Sequence, residues 1–184
     1  LWSENYLRYE IDAFLLRHKT QRLLAKNSQH WAPVHNLSAI KGEVPAETPY
    51  PHAYRAAGAY AVTDKHERSL QTLLDTHVYV SNDDLRHLFT QIITGLLDAR
   101  KHARRPHGNL KPANVLLSNS ATLASATVHL TDPAADGALP AKLPFEKDLH
   151  DLGRLIYALV MRRPFDGGTI GPSKEWKALG PNGE

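Results

Sequence analysis

The 184 residues suffice for one domain with a real core, or for part of a larger one. Apolar content of 42% and charged content of 22% are ordinary for a soluble globular chain, and apolar runs such as "YALVM" (Tyr157 to Met161) are too short to span a bilayer. The absence of cysteine excludes disulfides, thiolate zinc sites and a cysteine nucleophile, and a mixed-sign net charge of +3 argues only weakly for nucleic acid.

The first residue is Leu1, with no charged-then-apolar signal segment behind it, so the expectation is a fragment whose targeting information lies elsewhere. A cysteine-free chain fits a reducing compartment, and a cytoplasmic location is expected. Eleven histidines make the charge sensitive to pH between about five and seven.

The first element, Ser3 to Lys26, carries Leu7, Ile11, Phe14, Leu15 and the pair Leu23–Leu24 at helical spacing, with Ser3 as expected N-cap. Pro33, Pro45, Pro49 and Pro51 then break any long helix and leave room for short strands at Val34 to Ile40 and Ala57 to Thr63. Thr63 to Arg68 reads as a polar connection, and Ser69 to Thr76 as a short helix. Ser81, followed three residues later by Asp84, opens the clearest helix in capping-box fashion. Leu85, Leu88, Phe89, Ile92, Ile93, Leu96 and Leu97 give it one continuous apolar face, and Pro106 ends it near Arg104. The basic run Arg100 to His107 reads as a solvated helix C-terminus complementing the helix dipole. Short strands are expected at Asn114 to Leu117 and Thr127 to Asp132, with a loop at Ser118 to Ser125. A last helix is expected from Asp148 as N-cap, burying Leu149, Leu152, Ile156, Leu159 and Val160 and stopped by Pro164. The Gly- and Pro-rich tail from Gly167 has little to bury.

The run "HGNLKPANVLL", His107 to Leu117, resembles the catalytic loop of the protein kinase superfamily, His-Arg-Asp-Leu-Lys-Pro-x-Asn followed by an apolar strand. His107, Leu110, Lys111, Pro112 and Asn114 match; Gly108 and Asn109 replace the arginine and the aspartate. "LTDPA" falls where the family has Asp-Phe-Gly, with Asp132 matching. "DLHDLG", Asp148 to Gly153, resembles the start of the family's central helix, "PF" at Pro164–Phe165 is also similar, and Ala59 to Leu74 resembles a kinase hinge and short helix. The resemblance implies an α+β, shortened kinase-like fold. Residues 1–63 would form a reduced small lobe, 64–166 a mostly helical large lobe lacking its last helices, and 167–184 an irregular tail.

The resemblance also implies roles. Asn109 stands where the family's base is a carboxylate; an amide is neutral, and orients a hydroxyl without accepting its proton. Asn114 and Asp132 stand at the family's metal positions, whose oxygens suit magnesium; the local alternative is an Asx-turn at Asn114 and a strand-end cap at Asp132. Lys111 would touch the transferred phosphate in an active kinase and is otherwise a surface cation. His107 and Asp148 would tie the loop to the central helix. No glycine-rich phosphate loop occurs. "AIK", Ala39 to Lys41, is similar to the family's lysine strand, but nothing after it supplies a helix glutamate. On the preferred mapping Ser3 to Lys26 is the small-lobe helix, and Glu10 its glutamate.

Three functions follow as expectations. The first is a catalytically inactive, pseudokinase-like scaffold that binds another protein or other domains of its own polypeptide, with no cofactor. The second is an atypical kinase with weak ATP and magnesium binding through Asn114 and Asp132. The third is a binder of anionic surfaces or nucleic acid through Arg100 to Arg105. No metal site is expected: the histidines are scattered, and His102 with His107 makes a poor ligand pair across a proline.

Overall fold

The computed structural model describes residues 4–41, 56–135 and 144–167. Helix α1, Glu4–Ala25, buries Ile11, Gln21 and Leu24, while Leu23 is turned outward. The expected cap at Ser3 lies outside the described residues. α1 packs along an antiparallel hairpin of β1, Val34–Lys41, and β2, Ala56–Thr63, in which Leu37 faces Ala61 and Ala39 faces Ala59. The alternation of the pleat turns Ile40, Tyr60 and Val62 to the exposed face of this hairpin.

A two-residue strand, β3 (Arg68–Ser69), stands where the sequence predicts the end of a polar connection and the start of a helix. It pairs with β4, Val115–Ser118, which pairs with β5, Thr127–Leu130, to give an antiparallel sheet. Ser69 then caps α2, Leu70–Asp75, in a reciprocal pair with Thr72. Glu67 fastens the turn after β4, accepting from the Ser120 N–H at 2.9 Å and its hydroxyl at 2.7 Å. β5 ends at Leu130, two residues before the expected limit, because Asp132 takes a left-handed conformation (φ 53°) that no strand can hold.

The other edge of β5 is covered rather than left open. Residues 30–32 run beside it, the Ala32 N–H donating to the Leu130 carbonyl and the Leu130 N–H to the His30 carbonyl. Gln91 completes the cover: its side chain accepts from the Val128 N–H and donates to the Ala126 carbonyl, both at 3.0 Å.

Gln91 belongs to α3, Asn82–Asp98, capped by Ser81 and Asp84 as expected. Its buried stripe is Leu88, Ile92 and Gly95, continued by Ala99; Ile93 and Leu97 lie outside it and are exposed. The apolar face read from the sequence was therefore too wide. The helix widens into a π-turn at Ala99–Ala103, closed by Arg104 at φ 52°. A Cβ at Gly95 would stand 2.8 Å from the Leu130 side chain and 3.3 Å from the His30 carbonyl, so glycine lets α3 approach the sheet.

Helix α4, Pro144–Met161, begins a turn before the expected start, so Asp148 is not its N-cap. Asp148 points inward instead, and that sets the helix rotation. Leu152, Leu155, Ala158 and Leu159 follow it into the interior, while Leu149 (68% exposed) and Ile156 (39%) turn out, contrary to expectation. One core joins Leu24 and Trp31 from the first part of the chain to Leu88, Ile92, Leu117, Val128, Leu130 and Leu155. No helix among the described residues is long and apolar enough to cross a membrane.

Candidate functional site

The segment 107–114 crosses the molecule between the π-turn and β4, and two anchors fix it. Asp148 of α4 accepts the His107 N–H at 2.8 Å and the Gly108 N–H at 2.7 Å, one on each carboxylate oxygen. Gly108 needs its φ of 72° to offer that N–H beside the preceding one. Hydrogen bonds to a charged acceptor are worth about 1.5–3 kcal/mol each. Burial is the largest influence on Asp148 and raises its pKa, against the pull of those two N–H groups.

The second anchor is His107, wholly buried and stacked on Trp31 with ring centroids 5.3 Å apart. Its carbonyl accepts from the Ala134 N–H at 2.7 Å, and its Nδ1 accepts from the Asn109 N–H at 3.2 Å. The ring is therefore neutral with its proton on Nε2, which makes no well-formed hydrogen bond; the Thr131 carbonyl is the largest influence opposing burial. Burial drives its pKa down to about 3. The His107 ring is enclosed, whereas His102 is half-buried in the π-turn.

Asn109, Asn114 and Asp132, drawn together from the sequence, meet in space. The Asn109 amide nitrogen donates to the Asp132 carbonyl at 3.0 Å and to its carboxylate at 3.2 Å. The Asn114 amide donates to the Asn109 carbonyl at 2.9 Å, while the Asn114 backbone accepts from the Thr131 N–H. Asn114 thus braces the loop across five residues, a wider span than the expected Asx-turn. Lys111 is exposed and stands apart, on the side facing α2 and α4.

Two residues not singled out in the sequence complete the cluster, both from α1. The Arg17 guanidinium stands 3.2 Å from the second carboxylate oxygen of Asp132. Gln21, fully buried, accepts from the Asp132 N–H at 3.0 Å and the Thr131 hydroxyl at 3.3 Å, and donates to the Ala32 carbonyl. Glu10 lies on an exposed part of α1, and it is Arg17 that faces Asp132. Lys41 ends β1, and its side chain lies outside the described residues. Both oxygens of Asp132 are therefore engaged, one by a cation and one by an amide. A divalent ion would have to displace the first and reorient the second.

Of the basic run, Arg100, Lys101 and Arg104 are exposed while Arg105 is turned inward. Arg105 is buried and donates to the Ala134 and Pro106 carbonyls, and Arg100 lies over the Phe145 ring at 5.1 Å. Elsewhere, the His66 and His129 rings lie tilted against each other with centroids 4.9 Å apart, and His129 Nε2 meets the Ser118 hydroxyl at 2.6 Å. Among the described residues no three metal-ligating side chains converge. No protein-family model matches the chain, and no curated protein matches it significantly.

Proposed function

We propose that this chain is a kinase-like domain that does not transfer phosphate and works as a protein-interaction or regulatory scaffold. The order of elements supports the reading. A long helix and a hairpin precede a short helix, a long helix, the 107–114 loop, a strand pair leading to Asp132 and a final central helix. The His107–Asp148 anchor supports it too, since it holds the loop whether or not the loop reacts.

The observation that carries the non-catalytic half is the pairing of Asp132 with Arg17 and Asn109. Phosphoryl transfer needs a metal-binding carboxylate and a group that takes or orients the hydroxyl proton. Here the carboxylate already holds a guanidinium, and the amide at the base position spends its N–H on that same carboxylate. The test is a calorimetric titration with ATP, with and without magnesium, beside a phosphotransfer assay on generic protein substrates. No transfer is expected. Robust transfer that Asp132→Ala abolishes would overturn the proposal.

One observation favours an atypical kinase instead: Asn109, Asn114 and Asp132 do share a cluster, and the Asp132 side chain is 33% exposed. That reading requires nucleotide binding, and the absence of a heat signal at millimolar ATP with magnesium would remove it.

A further inference from the structure

Residues of α2, of the 107–114 loop and of α4 line a groove of about 690 Å³, which Asp132 does not border. Its floor is apolar, formed by Leu74, Leu110, Leu155, Ala158 and the Phe165 ring. Its rim is cationic. Lys111, Arg154, Arg162 and Arg163 line it and are all exposed, against two carboxylates, Asp75 and Asp151. Asp151 is already neutralised by Lys147 at 2.5 Å, from outside the groove, and Asp75 accepts from Gln71 at 2.8 Å.

Two of the cations are held in place by the protein. The Arg162 guanidinium lies 5.8 Å from the Tyr79 ring centre and Arg163 lies 6.0 Å from that of Tyr157. Arg162 also donates to the His77 carbonyl at 3.4 Å, joining the end of α2 to the end of α4. A guanidinium over a ring spends its face and keeps in-plane N–H donors for carboxylates. The positions are thus partly ordered before any ligand arrives, which lowers the entropic cost of binding.

From this geometry we infer that the groove binds an acidic peptide segment, one apolar side chain seated on the floor and carboxylates on either side meeting Arg154, Arg162 and Arg163. Charge complementarity selects this occupant over the chain's own residues 168–184. That tail carries Lys174 and Lys177 against Glu175 and Glu184, and so offers the cationic rim no net attraction. The inference rests on reading the chain as an interaction module, yet the two fail separately. Phosphotransfer would overturn that reading and leave the groove untouched; peptides that do not bind would remove the groove and leave nucleotide inertness standing.

The experiment is fluorescence anisotropy on the full chain with a labelled short peptide of glutamates around one leucine and one phenylalanine. Saturable binding in the micromolar range is expected. It should weaken at least about tenfold in Arg154→Glu/Arg162→Glu, and fall as salt rises, while Lys19→Glu on the exposed side of α1 has no effect. Both arginines are exposed, and a thermal melt confirms that the charge-reversed chain still folds. Three results would overturn the inference: no saturable binding, equal binding when serines replace the two apolar residues, or indifference to the charge reversal. Binding that emerges only in Trp176→Ala would mean the tail occupies the groove, and would overturn it too.

Discussion

At position 109 an amide does what a carboxylate could not do without a cation between. Its nitrogen donates to Asp132 at 3.2 Å, where an aspartate would set two negative groups in contact. At that separation and an effective dielectric near 20 the repulsion is about 5 kcal/mol, and exposure of Asp132 and the nearby Arg17 reduce it. Asn109→Asp is therefore expected to lower unfolding free energy by about 1–3 kcal/mol at neutral pH in the absence of divalent ions, measured by urea denaturation. An unchanged midpoint would mean that the amide is not what steadies Asp132. The loop residues of the cluster were legible because they stand within one short motif. Arg17 and Gln21 were not, since nothing local marks a helix residue for a partner as far away as the 111 positions between Gln21 and Asp132.

At the scale of elements, periodicity located the helices and failed on their rotation. The apolar pattern predicts faces that are too wide in α3 and too far round in α4, because it records which residues are apolar and not which are covered. A buried carboxylate decided the matter in α4: once Asp148 faces the 107–114 loop, Leu149 and Ile156 must look outward. The π-turn at Ala99–Ala103 left no mark, since its residues suit an ordinary helix equally well. β3, at two residues, is too short for any alternation to show. Gly95 is equally silent in the sequence: a lone glycine in a helical pattern reads as a weakness, and here it is the contact point. Gly95→Ala should gain up to about 1 kcal/mol of helix propensity and lose more through overpacking against His30, for a net loss of about 1–2 kcal/mol. A thermal melt that rises would show that the sheet can give way.

Across the whole molecule, three histidines hold less positive charge than they would unfolded. His107, His129 and His66 all have pKa values lowered chiefly by burial, His107 to about 3, while Asp64 pulls His66 back slightly. Below about pH 6.5 the unfolded chain binds protons that the folded chain refuses, so stability is fully present above that value and drains away as pH falls. For His107 the loss continues toward pH 3, at about 1.4 kcal/mol per pH unit where the linkage is complete. Asp148 works the other way: its raised pKa means that ionisation costs stability, which acid partly returns. The histidines should prevail between pH 6.5 and 5, and urea unfolding across that interval should give a falling midpoint that His107→Phe makes shallower. A flat profile would contradict the buried, neutral ring.

Trp31 lies on the seam between the leading helix–hairpin part and everything after it. Its indole N–H donates to the Gly95 carbonyl at 2.8 Å, and its ring covers His107. Anyone trimming this protein at the polar stretch around residue 64 would be sawing through a keystone. The trailing piece would keep the motif yet lose the plate that shields its histidine from water, and the leading piece would carry a bare indole with nothing beneath it. Dissection experiments should therefore swap surfaces and leave the backbone whole.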